Sequence, residues 1–290
     1  MKRIVLTALV VLSITGTAAA APFVLPLGVP IYMQFNNIEQ VNNTNTLVVP
    51  GYAPATGTQG NWGVFNISSI QAGAVAVANT EISGGPVIFA DDGPGGSQGQ
   101  VTGIFYGIQV TGPTTATGGT IDFYWHDAGS DTISAACLAG TTCAPNAATV
   151  GQFTSGTFLA RLNLASGVLP LDAITTISSN IDPTTIGGGE GRADGFANVN
   201  VGAPGAWTFA LNGDWFITTF GTRDLRFSNF FTRLPAWDSP TNATAGTTIG
   251  LRSNDPARVF TATPAVIPEP GTLTLLGFGL GGLAWLRRKK

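Results

Sequence analysis

Two cysteines, one histidine and a scatter of carboxylates are the side chains here with chemistry to offer. Cys137 and Cys143 are close in the chain, and in an oxidising compartment such a pair closes a short loop as a disulfide. By loop entropy that bond is worth on the order of 2 kcal/mol. A metal site is the rival, but two thiols rarely suffice, and His126 is the only histidine. His126 stands beside Asp127, which would suit a general base oriented by a carboxylate. Its nucleophile should then be marked by a motif, and no G-x-S-x-G occurs. A strand-end histidine is the plainer reading.

A glycosidase needs two carboxylates several ångströms apart. Asp122, Asp127, Asp131, Glu190 and Asp194 are the available ones, and sequence does not pair them. Asp91, Asp92, Glu190 and Asp194 offer hard oxygen ligands on Gly-rich stretches and are the calcium candidates. Neither stretch follows an EF-hand or a glycine-rich nonapeptide repeat, and turns without a metal are the plainer reading. No catalytic set and no cofactor are assigned, with calcium alone left open, and the chain reads as a protein that is not an enzyme. Trp62, Trp125, Trp207, Trp215 and Trp237 have faces that suit sugar stacking, yet in a β protein such residues more often build the core.

The elements that must position these residues are short apolar runs between turn signals. Charged residues make up 10% of the chain and glycines number 39, a composition that favours many turns and an all-β fold. Runs at 47–49, 63–67, 87–90, 103–110, 120–125 and 158–163 read as strands. Ile121, Phe123 and Trp125 would share one face, with Asp122 and Tyr124 on the other. Asn212-Gly213 between aromatic runs at 207–211 and 215–220 predicts a hairpin. Residues 71–79 fit either a helix or a strand. Residues 111–120 and 180–195 read as low-complexity loops, and 239–265 as a stalk or a last strand plus linker. The expected architecture is a single β-sandwich or jelly-roll-like domain over residues 21–263.

Both ends differ from this body. Lys2 and Arg3 precede an apolar stretch at 4–14 and small residues at 15–21, the pattern of a secretory signal peptide. Cleavage after Ala21 would leave Pro22 next to the scissile bond, so cleavage after Ala20, giving a segment 1–20, is the better expectation. The segment 264–290 is proline-rich, then apolar over 272–286, then basic. As a helix the apolar run would rise roughly 22 Å, short of a hydrocarbon core about 30 Å thick. The basic end should stay in the cytoplasm, leaving the body across the inner membrane. Apart from the two ends, the basic residues are all arginine and are outnumbered by Asp and Glu. An acidic body repels phosphate backbones, which argues against nucleic acid as a partner.

Val266-Ile267-Pro268-Glu269-Pro270, the short apolar run, and Arg287-Arg288-Lys289-Lys290 together resemble the PEP-CTERM sorting signal of Gram-negative bacteria. The resemblance covers only the C-terminal end. It implies recognition of Pro268, Glu269 and Pro270 by an exosortase, a membrane cysteine protease, and removal of a transient transmembrane helix. It also implies company with exopolysaccharide, since bacteria with this system commonly make it. The resulting expectation is an exported protein of the cell surface or extracellular matrix, acting by non-catalytic adhesion in biofilm or floc. Its partners would be signal peptidase and exosortase during maturation, the inner membrane transiently, and exopolysaccharide. The rival expectations are an extracellular glycan hydrolase and a structural coat component without ligand.

Overall fold

The computed structural model describes residues 21–41, 52, 60–238 and 248–263. The expected signal peptide, the sorting motif with its apolar run and basic tail, and the strand expected at 47–49 lie outside the described residues. Among the described residues no helix is long and apolar enough to cross a membrane.

In chain order the elements are β1 (Pro30–Val41), β2 (Gly60–Ala72), β3 (Ala74–Val77), β4 (Glu81–Ser83), β5 (Val87–Ala90), β6 (Gln100–Gly112) and β7 (Thr115–His126). Two short helices follow, α1 (Ala135–Leu138) and α2 (Ala147–Thr154), then β8 (Thr157–Ala165), β9 (Thr175–Ser179) and β10 (Glu190–Val199). The chain continues through α3 (Thr208–Leu211), β11 (Phe216–Thr218), β12 (Gly221–Arg223), β13 (Leu225–Arg233), a 3-10 turn (Pro235–Trp237) and β14 (Ile249–Phe260).

The main sheet runs β1-β14-β13-β10-β8-β7-β6-β2, and β1 then pairs with β2 to close it. The result is a closed eight-stranded antiparallel barrel rather than the expected sandwich. Closure follows from β1, which is paired along its whole length with β14 on one side and with β2 on the other. A sandwich would leave edge strands with unpaired N–H and C=O groups, and this ring has none to leave. Between β7 and β10 the wall is shared: β8 fills one end and β9 the other.

Alternation decides what faces inward. Ile121, Phe123 and Trp125 of β7 point to the barrel interior, with Leu162, Leu164, Leu225 and Val259 from other strands. One end is plugged. Trp207 and Leu211, at and within α3, pack there with Leu25 from the first described segment, and the Trp207 indole N–H donates to the Phe23 carbonyl at 2.6 Å. The expected hairpin is therefore corrected. Residues 207–211 form a helical turn that buries Trp207, Ala210 and Leu211, and the hairpin lies one step later, between β11 and β12. Burial of Trp207 outweighed the turn preference of Asn212-Gly213.

Two further expectations are corrected. Residues 111–120 form the turn and adjoining strand ends of the hairpin between β6 and β7, not a loop. The stretch from Glu190 to Asp194 is the start of β10, paired with β13. Residues 249–260 form the strand that closes the barrel. On the outside, α1, α2 and the 3-10 turn cover β1, β2 and β6 with a second apolar cluster that holds Trp62, Phe153, Trp237 and both cysteines.

Candidate functional site

An eight-stranded barrel is just wide enough for its own side chains to fill. Here four inward glycines leave room. Gly63, Gly103, Gly191 and Gly195 lie beneath the rings of Phe105, Phe65, Phe231 and Phe227 respectively, and a Cβ at any of them would overlap its ring. Each ring thus lies across a neighbouring strand instead of reaching for the axis, the same aromatic-over-glycine device that pins register in β-sheets. What remains is an internal cavity of about 150 Å³, walled by residues that include Phe35, Phe65, Phe123, Leu164, Phe227 and Leu251. The cavity lies away from the α3 plug, towards the end where Val41, Val110 and the 113–115 turn line it.

Polar groups enter this apolar wall at a few points. Asn37 and Glu39 lie two apart on β1, on its inward face, and Asn61 faces them from β2. Glu39 is 6% exposed. Its Oε2 accepts from Asn61 Nδ2 at 3.0 Å and its Oε1 from Ser253 Oγ at 2.8 Å. Burial pushes the Glu39 carboxyl above the usual range, and those two hydrogen bonds oppose the rise without cancelling it. No arginine, lysine or histidine is among the described residues that line the cavity. The side-chain oxygens of Asn37, Asn61 and Asn229, all lining residues, are buried without a hydrogen-bond partner. Buried acceptors are seldom left so, and three around one cavity make it a place short of donors.

The residues singled out from sequence lie elsewhere. Cys137 and Cys143 are bonded to each other in the outer cluster, where the Trp237 indole N–H donates to the Cys143 carbonyl at 2.8 Å. His126 is buried, with Nε2 2.9 Å from Thr102 Oγ1, and burial lowers its pKa. Asp127 accepts from the Trp125 indole at 2.9 Å. Asp122 is buried under a bidentate pair with Arg161, both bonds at 2.7 Å. Trp62, Trp125, Trp207 and Trp237 are all buried.

The calcium candidates divide between two places. Asp91 accepts from Asn66, Gly93 and Gln100, and Asp92 from the N–H groups of Ser97 and Gln98. Those hydrogen bonds hold Asp92 below the usual carboxylate range, the Ser97 N–H contributing most. Asp194 bonds the Ser228 hydroxyl, and its other oxygen is 3.5 Å from Arg192 Nε. Among the described residues no group of three or more His, Cys, Asp or Glu side chains is placed to hold a metal ion.

Glu39, Asn37 and Asn61 escaped the sequence reading, although the signal was present. Ile31, Met33, Phe35, Asn37, Glu39 and Val41 alternate along β1, so a carboxylate and an amide interrupt an otherwise apolar face.

Comparison with known families bears on the other end of the chain. A family profile described as the PEP-CTERM protein-sorting motif matches residues 266–289. The chain carries a PEP-CTERM sorting motif. It is accordingly a secreted, surface-directed protein processed by exosortase, and Pro268, Glu269 and Pro270 lie inside the matched span. No curated protein matches the chain, and no solved structure does.

Proposed function

We propose that this chain is a non-catalytic binding protein of the bacterial surface or extracellular matrix. Its barrel encloses a small, mainly apolar ligand. In a Gram-negative cell the signal peptide would be removed on export, and the C-terminal helix would anchor the protein only until exosortase acts. The observation that carries the reading is the apolar cavity inside a closed barrel. Pockets with apolar walls and a few convergent polar groups are the usual form of small-molecule sites. A hydrolytic reading finds less support. Glu39 has the environment of a general acid, but a glycosidase needs a second free carboxylate. Asp182, which also lines the cavity, has its Oδ1 engaged by the N–H and hydroxyl of Thr184.

The test is native mass spectrometry of the mature protein recovered from the cells that make it. A retained small molecule is expected, and it should be missing from Ala257→Leu, which places a larger side chain in the cavity wall. Protein that carries no adduct and is not stabilised against heat by any single-ring apolar compound would overturn the reading.

A second surface supports association with exopolysaccharide. Ser178, Asn180, Arg192, Phe196 and Arg226 line an open polar groove on the barrel exterior. Arg226 sits over the Phe196 ring, 5.9 Å from its centroid, and pairs with Glu81 at 3.0 Å, which leaves Arg192 as the more exposed cation for an acidic sugar. Co-sedimentation with the host's exopolysaccharide should weaken in Arg192→Ala. Sedimentation unchanged by that substitution would remove the groove from the account.

A further inference from the structure

The wall of the cavity also carries information about the head group of its occupant. An apolar cavity of about 150 Å³ holds one benzene-sized molecule, and the cavity here has that volume. The occupant's body is therefore a single ring or an alkyl chain of similar bulk. Its polar end must suit what the wall presents. The described wall offers acceptors: the Glu39 carboxyl group and the unpartnered amide oxygens of Asn37, Asn61 and Asn229. It offers no cationic side chain among the described residues.

Three head groups can be compared. A carboxylate would bring a second negative charge beside Glu39 with no cation to offset it. A hydroxyl donates once, leaving the other acceptors unmet. An ammonium donates three times and carries the charge that Glu39 lacks a partner for. Asn61 Nδ2 donates to Glu39 at 3.0 Å, which brings the Asn61 amide beside the carboxyl, so one head group can meet these two residues, while Asn37 lies on the other side of Glu39 in the β1–β2 register. Gly63, paired with Glu39, makes room for the Phe105 ring beside Glu39, since a Cβ there would overlap that ring and the Glu39 Cβ.

We infer that the barrel binds a small primary amine with a single-ring or short-chain apolar body, its ammonium held by Glu39 and Asn61. This rests on the cavity reading above and sharpens it to a ligand class. With the amine bound, Glu39 is ionised and has its counter-charge. With the cavity free, the same burial favours its neutral form.

The experiment is calorimetric titration of the mature protein at neutral pH with four probes of equal bulk: benzylamine, benzyl alcohol, benzoate and toluene. Benzylamine should bind at least about tenfold more tightly than benzyl alcohol, because charge-assisted hydrogen bonds are roughly twice as strong as neutral ones. Benzoate should not bind. In Glu39→Gln, benzylamine should lose at least about tenfold, while benzyl alcohol and toluene change little. In Ala257→Leu, all binding should be lost. Toluene and benzyl alcohol binding as well as benzylamine would overturn the amine assignment and leave the cavity reading standing. Binding of none of the four would overturn both. Should Glu39→Gln fail to fold, the order of the four probes on the unaltered protein still decides the matter.

Discussion

Glu39→Gln isolates the one buried carboxylate that no cation partners in the cavity wall. Taking an ionised carboxylate out of water costs several kcal/mol even after relaxation. Hydrogen bonds from Asn61 Nδ2 and Ser253 Oγ return part of this, at about 1.5–3 kcal/mol each. The charge is left with a net cost on the order of 2 kcal/mol. Glutamine keeps the shape and both bonds: its oxygen accepts from Asn61, and its Nε2 donates to Ser253 Oγ, which reverses its role. The pH dependence follows from the raised carboxyl of the folded protein. At and below about pH 4 both folded and unfolded chains hold most of the proton, and the wild-type side chain costs nothing extra. As pH rises above the unfolded value, the unfolded chain ionises first. Stability then falls by up to about 1.4 kcal/mol per pH unit until the folded form ionises too. Glutamine has no proton to lose. In thermal melts without ligand, the two proteins should therefore have similar Tm near pH 4, and the variant should melt about 4–8 °C higher near pH 8. A difference that does not change with pH, or a variant that is less stable near pH 8, would refute the reasoning by implying a charged partner for Glu39.

Three other perturbations bear on separate parts of the account. Cys137→Ser together with Cys143→Ser should cost about 2 kcal/mol, because the bridged loop is short, and a similar drop in Tm should follow reduction of the unaltered protein. A reduced protein that melts unchanged would mean the bridge constrains nothing. Gly191→Ala should destabilise by about 1–3 kcal/mol by driving the Phe231 ring inward. Adding Phe231→Leu should restore most of the loss in a melt, and failure of that rescue would show that the glycine serves another purpose. Glu269→Ala in the native host should leave a longer, membrane-bound form on an immunoblot, and normal maturation would remove Glu269 from the sorting element.

Much of the barrel wall was legible because its strands obey a simple period. The runs at 63–67, 103–110, 120–125 and 158–163 all lie within strands, and Ile121, Phe123 and Trp125 share the inner face that their spacing implies. Closure was not legible. It depends on β1 meeting β14 across most of the chain length, and no local pattern encodes a pairing so remote. β1 itself escaped notice because Asn36, Asn37, Glu39 and Gln40 break its apolar character. Asn37 and Glu39 are tolerated there because the inner face borders a cavity rather than a filled core, and Gln40, on the outer face, donates to the Trp237 carbonyl. The Trp207 segment was misread for a related reason, since a buried plug overrode a local turn signal. The sorting motif, by contrast, is a short local run of residues, so it is recognisable from sequence alone.

The most direct test of the account is whether the barrel interior is hollow. Crystals of the mature protein pressurised with xenon should show an ordered xenon atom among Phe35, Phe65, Phe123 and Phe227, because an apolar cavity of about this size takes up xenon. An interior filled by the protein's own side chains, with no xenon peak, would contradict it.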